Sequence, residues 1–273
     1  MKLKLPAKVN WDLRILGLRE DGFHELRSWF VPIDLCDELE ISQGVPSLTI
    51  LGNDKLANEE DNLIQRAEKA WRFAGGQAPE VQWTLHKKIP VGGGLGGGSS
   101  NAAGALQLLE QTATKSLGSE RCLEVALSLG SDIPFFFSRS GAELRGGRGE
   151  TVLASADFSG RSLVLAFPNL SLSTPAVYQA LSAPPLGEEV PEAAFSAFQP
   201  SPEPGPNHLE PAAFQTEPKL AHFAESIREY ASFVMTGSGS TFFVAVETEE
   251  EANELWANLQ ASGISAALAR TLS

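Results

Sequence analysis

Hydrophobic and polar residues alternate in short runs through residues 2–50, and this period of two is typical of β-strands. Residues that favour turns separate the runs, among them Pro6, Gly17, Pro32 and Gly44. The chain is therefore expected to begin with a β-rich region in which short strands alternate with turns.

Helical and strand patterns follow each other through the middle of the chain. The predicted elements are a helix over residues 61–74 with Asp61 as its N-cap, a strand over 81–86, a glycine-rich loop over 91–104 that leads into an Ala- and Leu-rich helix, a helix over about 119–129, and a glycine-rich crossing at 145–150. This region is expected to pack helices on a sheet.

Beyond residue 150 the pattern alternates helix and strand around a proline-rich segment. Seven prolines lie within 184–206, which excludes a helix or a central strand and predicts a loop or a flexible insertion. The elements predicted around it are a strand over 163–167, a helix over 175–181, a helix over 218–231, a strand over 232–236, a turn over 237–240, a strand over 241–247, a helix over 249–261 and a strand near 264–269.

We therefore expect an α+β fold of two lobes with a boundary near residue 150. The N-terminal lobe, 1–150, is a mixed sheet-plus-helices lobe with the glycine-rich loop. The C-terminal lobe, 151–273, is a ferredoxin-like α/β sandwich. Two such lobes leave a cleft between them, which is where the active site is expected.

Composition excludes several classes of function. The 273 residues carry 34 Asp and Glu against 21 Lys and Arg, a formal charge of −13, which argues against nucleic acid as a partner. Only Cys36 and Cys122 are present and no signal-like pattern opens the chain, so a cytoplasmic location is expected. No run approaches the ~18 apolar residues of a spanning helix, which argues against the membrane as a partner.

The glycine-rich loop is the strongest chemical signal. Six of the seven residues from Gly92 to Gly98 are glycine, so backbone N–H groups can approach a ligand, and the following helix directs its N-terminal amides to the same place. This arrangement favours a phosphate. A flexible linker is the alternative, but a linker does not lie between a clear strand and a clear helix.

The loop matches neither of two common phosphate-binding motifs. Gly98 stands where the Walker pattern requires Lys, and Glu110 lies within a helix rather than at the end of a second strand, where a dinucleotide fold places its acidic residue. A kinase with this loop needs its cation and its base elsewhere. Lys8 and Asp132 are charges in apolar surroundings and are the candidates, although each taken alone is more often an ordinary ion pair or a surface-facing position.

Ordered motifs resemble a known family. LPAKVNWDL at 5–13, IPVGGGLGGGSSNAA at 89–103 and MTGSGSTFFVA at 235–245 resemble the superfamily of galactokinase, homoserine kinase, mevalonate kinase and phosphomevalonate kinase. The longer segment at 6–26, GSDIPFFF at 130–137 and NHLEP at 207–211 resemble, more narrowly, the 4-diphosphocytidyl-2-C-methyl-D-erythritol kinase family. The resemblance extends from residue 6 to about residue 245.

The resemblance implies an ATP-dependent phosphotransferase that acts on an alcohol group. In that family the 2-hydroxyl of 4-diphosphocytidyl-2-C-methyl-D-erythritol is phosphorylated, on the methylerythritol phosphate route to isoprenoid precursors. The substrate is then a small molecule with a cytidine diphosphate group. Residues 1–150 would form the ATP-binding lobe and residues 151–273 the substrate-side lobe. Mg²⁺ would arrive bound to ATP, and no dedicated protein metal site is expected. Ser99 or Ser100 is a candidate contact to this ion.

Residue roles follow from the matching positions. Asp132 matches the catalytic aspartate that takes the hydroxyl proton, and Lys8 the lysine that holds that carboxylate and the hydroxyl in place. The positions that match the ATP phosphate loop are Pro90, Gly92, Gly93, Gly94, Leu95, Gly96, Gly97, Gly98, Ser99 and Ser100. The positions that match substrate contacts are Asn10 for the methylerythritol part, Phe23, His24 and Tyr178 for cytosine, and Thr174 near the transfer site.

Two departures and two alternatives stay open. His208 stands where the family usually has Asp, which puts a role for the NHLEP loop in doubt, and Phe23 is commonly Tyr. A sister kinase acting on homoserine or mevalonate shares the loop and the late motif but lacks the cytosine-binding GFHEL segment. A nucleotide-binding protein without turnover, in which Asp132 is only structural, is the other alternative.

A branched side chain at Gly97 is expected to block the binding of the ATP phosphates. The effect should be larger if φ at Gly97 is positive, because branched residues tolerate that conformation badly.

Overall fold

The structure is a computed structural model, and it describes residues 1–53, 56, 62–137, 141–182 and 200–273. Its strands are β1 (Lys2–Leu18), β2 (His24–Gln43), β3 (Ser47–Leu51), β4 (Val81–His86), β5 (Ala142–Gly146), β6 (Thr151–Ala156), β7 (Ser162–Phe167), β8 (Val234–Met235), β9 (Phe242–Val246) and β10 (Ser265–Arg270). Its α-helices are α1 (Leu63–Phe73), α2 (Gly97–Thr112), α3 (Ser119–Leu129), α4 (Thr174–Ala180), α5 (Glu210–Thr216), α6 (Pro218–Arg228) and α7 (Glu249–Ala261), and a 3₁₀ helix spans Ile133–Phe137.

The chain groups into two units whose segments are interleaved along the sequence. The first comprises Met1–Ala7, Leu35–Pro90 and Gly96–Arg139, and the second comprises Lys8–Asp34, Val91–Leu95 and Ser140–Ser273. Strands β1 and β2 each contribute residues to both units. The lobes 1–150 and 151–273 were expected as continuous stretches, and that boundary stays a prediction.

The first unit packs three helices on short strands. β4 pairs in parallel with β3 and antiparallel with residues 38–43 of β2. The alternation of β4 buries Val81, Trp83 and Leu85 against the helices, because successive strand side chains point to opposite faces. Residues from α1, α2 and α3 complete this core, with Trp71 fully buried among them.

The second unit contains the predicted ferredoxin-like sandwich. Its sheet has the order β10-β7-β9-β8, and every neighbouring pair is antiparallel. Helix α7 packs against β7 and β10, and residues of α6 complete the apolar core with Val164 and Phe242. Residues 28–30 of β2 pair separately with β5, which continues as a hairpin into β6. The expected α+β class is confirmed.

Several local predictions need correction. The opening region forms long strands rather than short runs, since a strand continues through Pro6 and Pro32 at the loss of one backbone donor each. The N-cap of α1 is Asn62, whose side chain accepts a hydrogen bond from Ile64 N, and Asp61 lies outside the described residues. In the RGGRGE segment, Arg145 and Gly146 end β5, and residues 147–150 form the turn of the β5–β6 hairpin.

The later elements differ at their ends. Helix α5 was not predicted, and α6 ends at Arg228 rather than at residue 231. The strand expected over 232–236 is reduced to Val234–Met235. Most of the proline-rich segment, 183–199, lies outside the described residues, and residues 200–206 form no helix or strand.

Candidate functional site

Lys8 holds a buried ammonium group in the second unit. The residue is 3% exposed, and its Nζ donates to Asn10 Oδ1 at 2.6 Å and to the Gly94 carbonyl at 3.3 Å. The ammonium also lies 4.8 Å from the centre of the Phe30 ring. Residues 8 and 10 of β1 share one face of the strand, which places the amide beside the cation. The structure thus fixes a positive charge against the carbonyl edge of the glycine-rich loop.

Asn10 joins three segments of the second unit. Its Nδ2 donates to Ser28 Oγ at 2.7 Å, and its backbone N–H donates to Thr236 Oγ1 at 2.8 Å. The first bond orients the side-chain amide so that Oδ1 faces Lys8. The second bond replaces the usual strand-to-strand partner by a side chain from a distant turn.

The loop segment Val91–Leu95 is held through its backbone. The carbonyls of Gly93 and Leu95 accept from Thr241 N at 3.2 Å and from Lys8 N at 2.9 Å. Gly94 has φ +75°, and a Cβ there would lie 2.2 Å from the Thr236 carbonyl oxygen. Only glycine fits this position, because the two backbone turns touch.

The rest of the loop begins α2 in the first unit. Gly96, with φ +70°, is the N-cap of α2 and provides no side-chain cap. Gly97 does not have a positive φ, and a Cβ there would lie 2.9 Å from Ile89 Cγ2. A branched side chain at 97 would therefore strike the Ile89 side chain, and the positive φ considered for that residue is wrong.

Two buried oxygens lie in the first turns of α2. Ser100 is 1% exposed and Asn101 is 3% exposed, and neither Ser100 Oγ nor Asn101 Oδ1 has a hydrogen-bond partner among the described residues. Buried oxygens without partners are costly unless a ligand or an ion satisfies them. These atoms suit the oxygen-rich chemistry of a magnesium-bound phosphate.

A buried ion pair anchors the segment that enters the loop. Lys87 Nζ lies 2.8 Å from Asp37 Oδ2, and Asp37 Oδ1 accepts from the backbone N–H groups of Lys88 at 2.7 Å and Ile89 at 2.9 Å. Burial lowers the pKa of Lys87. The sequence prediction missed this pair, because Asp37 lies in β2, Lys87 follows the end of β4, and the two share no motif.

Asp132 is half-buried in the first unit, in the turn between α3 and the 3₁₀ helix. Gln107 Nε2 of α2 donates to the Phe136 carbonyl at 3.1 Å. This bond ties the 3₁₀ helix that follows Asp132 to the helix that begins in the glycine-rich loop.

The residues expected to bind cytosine lie in the second unit. Phe23 is 51% exposed, and the Arg148 guanidinium lies 4.5 Å from the centre of its ring. The rings of His24 and Tyr178 face each other with centroids 5.5 Å apart and planes tilted by 35°. At that separation the two rings are in direct contact. Burial lowers the pKa of His24, which favours the neutral form of its ring.

The motif at 235–245 forms a turn after β8. In the sequence, only the family resemblance connected this motif to the candidate site. Thr174 Oγ1 lies 2.7 Å from Ser238 Oγ, which joins the first residue of α4 to this turn. Asn207 Nδ2 donates to the carbonyls of Met235 and Gly237, each at 2.7 Å. The doubt about the NHLEP loop therefore concerns its histidine, whereas its asparagine makes close contacts with the turn. The sequence analysis gave Asn207 no role, although the NHLEP motif that contains it was a signal that could have found it.

The described residues contain neither a metal-binding cluster of side chains nor a membrane-spanning helix. No group of three His, Cys, Asp or Glu side chains in those ranges is placed to hold a metal ion. In the same part of the chain, no helix has both the length and the apolar character needed to cross a membrane.

Family models and relatives of known name all identify this chain as similar to one group of kinases. The family of the GHMP kinases N terminal domain matches residues 62–140, and the family of the GHMP kinases C terminal matches residues 185–265. The 4-diphosphocytidyl-2-C-methyl-D-erythritol kinase of Citrifermentans bemidjiense is 35% identical, over 100% of this chain and 99% of that protein. The Thermus thermophilus protein of the same name is 36% identical, over 96% of this chain and 94% of that protein.

Solved structures agree with these relatives. A crystal structure of 4-(cytidine 5'-diphospho)-2C-methyl-D-erythritol kinase has a TM-score of 0.78 and 33% identity, and covers 100% of both chains. A mevalonate kinase structure has a TM-score of 0.65 at 15% identity, over 99% of both chains, and this likeness is one of fold alone. Two relatives are 35% and 36% identical over nearly the whole chain, and the structure holds a glycine-rich loop against a buried lysine. The chain therefore belongs to the 4-diphosphocytidyl-2-C-methyl-D-erythritol kinase family of GHMP kinases and is a phosphotransferase acting on a hydroxyl group.

Proposed function

We propose that the chain transfers the γ-phosphoryl group of ATP to the 2-hydroxyl of 4-diphosphocytidyl-2-C-methyl-D-erythritol, a step of the methylerythritol phosphate route to isoprenoid precursors. The observation that carries the proposal is the buried Lys8 ammonium between Asn10 Oδ1 and the Gly94 carbonyl. Phosphoryl transfer depends on positioning and on fixed positive charge beside the reacting oxygens. Lys8 supplies such a charge at the glycine-rich loop.

Lys8, Asp132 and Asn10 have separate roles in the proposed step. The 2-hydroxyl oxygen forms a bond to the γ-phosphorus, the bond from that phosphorus to the β,γ-bridging oxygen breaks, and the hydroxyl proton goes to the Asp132 carboxylate. A carboxylate is a weak base at pH 7, so Asp132 orients the hydroxyl and collects its proton late. Lys8 holds the hydroxyl and the carboxylate, and Asn10 contacts the methylerythritol part.

ATP is expected at the glycine-rich loop, over Pro90 and Gly92–Ser100. The N-terminus of α2 directs backbone amides and a partial positive charge at the phosphates. Bound Mg²⁺ would neutralise phosphate charge, and the buried Ser100 Oγ is the candidate protein oxygen for it, with Asn101 Oδ1 beside it in sequence. Mg²⁺ is proposed to arrive with ATP, since it keeps phosphate and water ligands by preference.

Cytosine is proposed to bind at Phe23, His24 and Tyr178. Since Arg148 lies over the Phe23 ring and His24 contacts Tyr178, the base would stack on the exposed part of Phe23 and against the His24–Tyr178 pair. A neutral His24 ring carries one donor and one acceptor nitrogen, which suits the hydrogen-bonding edge of a neutral base. Thr174 is proposed to lie near the transfer site, where Ser238 orients its hydroxyl.

The test is a substrate comparison at saturating ATP and Mg²⁺. ADP release is measured with the cytidyl substrate, its uridyl analogue, free methylerythritol, homoserine and mevalonate, and the phosphorylated position is read by ³¹P NMR. We expect turnover with the cytidyl substrate and little with the others, because a site built to hydrogen-bond one base leaves polar groups unpaired with another. Equal turnover of free methylerythritol or of homoserine would contradict the proposal, and binding of cytidyl nucleotides without ADP release would favour a non-catalytic protein.

The proposed partners are small molecules only. The formal charge of −13 opposes binding to nucleic acid, which is a polyanion. Cys36 and Cys122 are not joined in a disulfide, in keeping with the proposed cytoplasmic location.

A further inference from the structure

Asn207 uses its whole side-chain amide to join two segments of the second unit. Its Nδ2 donates to the carbonyls of Met235 and Gly237, each at 2.7 Å, and its Oδ1 accepts from Leu209 N at 2.9 Å. The residue is 7% exposed. Both N–H groups face carbonyl oxygens, so only an amide satisfies this site, and the isosteric carboxylate would offer no donor.

The backbone around Asn207 lies alongside β1. Leu13 N donates to the Pro206 carbonyl at 2.9 Å, and His208 N donates to the Leu13 carbonyl at 2.8 Å. Asn207 itself forms a parallel bridge with Leu13. Asn207 thus links β1 to the turn that follows β8.

That turn contacts Asn10 on β1. Thr236 Oγ1, between the two carbonyls that Asn207 holds, accepts the Asn10 N–H at 2.8 Å. A Cβ on Gly237 would lie 3.2 Å from Asn10 Oδ1, the same oxygen that accepts from Lys8 Nζ at 2.6 Å. Any shift of the turn therefore reaches the Asn10 amide and, through it, the Lys8 ammonium.

We propose that Asn207 is a positioning residue that holds Thr236 in place, and through Thr236 the Asn10 and Lys8 pair. The catalytic part of this inference rests on the proposed function of Lys8 and Asn10. It assigns the NHLEP motif a role through its asparagine, with the neighbouring histidine making a separate contact to Ile15 N at 3.2 Å.

The test compares Asn207→Asp with Asn253→Asp. Asn253 lies on the exposed surface of α7, and its Nδ2 donates to a single carbonyl, that of Glu249, at 2.8 Å, so this control makes the same chemical change elsewhere. We expect Asn207→Asp to lower kcat for the cytidyl substrate by about 10²-fold, more than it changes either KM, because small displacements of positioning groups slow the chemical step. The control should keep the wild-type kcat. A wild-type kcat in Asn207→Asp would overturn the inference.

Hydrogen exchange tests the positioning without reference to any substrate. We expect amide exchange to be faster in Asn207→Asp over peptides covering residues 8–12 and 234–238, because the Asn10 N–H loses a fixed acceptor. Exchange elsewhere should match Asn253→Asp. Should the wild type release no ADP with the cytidyl substrate, the proposed function fails, and exchange at Asn10 still decides whether Asn207 holds this turn.

A second variant covers the case in which Asn207→Asp does not fold. Thr236→Val keeps nearly the same shape and removes only the acceptor of the Asn10 N–H. We expect it to reproduce both the loss of kcat and the faster exchange at Asn10. If both variants fold, the double variant should lose little more kcat than the worse single one, as for residues that act through one step. Unchanged kcat and exchange in Thr236→Val, or fully additive losses on the logarithmic scale, would overturn the proposed connection.

Discussion

At the scale of single residues, the proposed chemistry depends most on a buried lysine. Lys8 is 3% exposed and is surrounded by an amide oxygen, a loop carbonyl and an aromatic ring. A buried ammonium is costly unless polar groups compensate it, so the burial of Lys8 is weak evidence that the residue stabilises the fold. Its replacement should therefore change catalysis more than it changes the fold.

We predict that Asp132→Asn lowers kcat by about 10² to 10⁴-fold, the range that follows loss of a general base, while KM for ATP changes little. Lys8→Met keeps most of the side-chain stem and should be similarly severe. Because both residues are proposed to act on the same hydroxyl, the double variant should lose little more than the worse single one. The measurement is steady-state ADP release, with folding checked by circular dichroism. Near wild-type release by Asp132→Asn would remove that residue from the mechanism.

The proposed cytosine site allows a matched pair of phenylalanine variants. We predict that Phe23→Ala raises KM for the cytidyl substrate, because base stacking on an aromatic ring contributes about 1–3 kcal/mol, or roughly 5- to 150-fold. Phe73→Ala is the control, since Phe73 is 95% exposed, at the end of α1, and has no proposed contact. Both changes remove an exposed ring, and KM for ATP should stay constant in both. An equal effect of the two variants on the cytidyl substrate would argue against stacking at Phe23.

At the scale of elements, two glycine turns touch through their backbones. Gly94 of the loop and Gly237 of the turn after β8 have φ +75° and +57°, and a Cβ on Gly237 would lie 2.9 Å from the Gly94 carbonyl oxygen. Neither turn has room for a side chain at the contact. The spacing of the two motifs in the sequence did not predict this contact. It depends on the tertiary structure, in which Lys8 N of β1 and Thr241 N, just before β9, hydrogen-bond to the loop backbone.

A comparison of Gly94→Ala with Gly118→Ala distinguishes the cost of backbone strain from the cost of steric overlap. Both positions have a positive φ, +75° and +82°, but a Cβ at 118 meets nothing within 4 Å, whereas at 94 it meets the Thr236 carbonyl at 2.2 Å. Gly118 has ψ 163°, a backbone region that is nearly restricted to glycine, so we predict that Gly118→Ala costs about 1–3 kcal/mol of stability and leaves kcat unchanged. Gly94→Ala should cost more stability and should also weaken ATP binding. Thermal unfolding and calorimetry with an ATP analogue measure the two effects, and equal behaviour of the variants would contradict the close approach.

At the scale of the whole molecule, charge links pH to stability. Glu38 lies between Lys2 and Lys88, with Nζ to Oε distances of 2.5 Å and 3.1 Å. Hydrogen bonds to these two lysines lower the pKa of Glu38 from 4.5 to about 2. Since the folded pKa lies below the unfolded one, the carboxylate stabilises the fold above about pH 4.5, and this stabilisation is lost as the pH falls toward 2.

We predict that Glu38→Gln lowers the melting temperature at pH 7 more than Glu254→Gln, which removes the same charge from the exposed surface of α7. The difference should shrink below pH 4.5, and it should also shrink in high salt, because exposed ion pairs are screened. Thermal unfolding between pH 7 and pH 3 at two salt concentrations makes the measurement. A difference that stayed constant over this range would show that the lysines do not act on Glu38.

The sequence by itself determined the elements whose signals are local. The limits of β4 and α7 were predicted to the residue, and those of α3 within its stated approximation, because alternation, helical period and capping residues are properties of neighbouring positions. The glycine-rich loop and the candidate roles of Lys8 and Asp132 also came from short motifs. Elements without a strong period were predicted less well, as α5 and the two-residue β8 show.

Only the tertiary structure decided which distant residues meet. The pairing of His24 with Tyr178, the Lys87–Asp37 ion pair and the contacts of Asn207 with the turn after β8 all join segments far apart in the chain. Part of the interleaving of the two units comes from β1 and β2, long strands with residues in both units, and part from the changes of unit at residues 90–91, 95–96 and 139–140. Short-range periodicity carries no information about such contacts, since they depend on how all the elements pack and which buried polar groups must find partners.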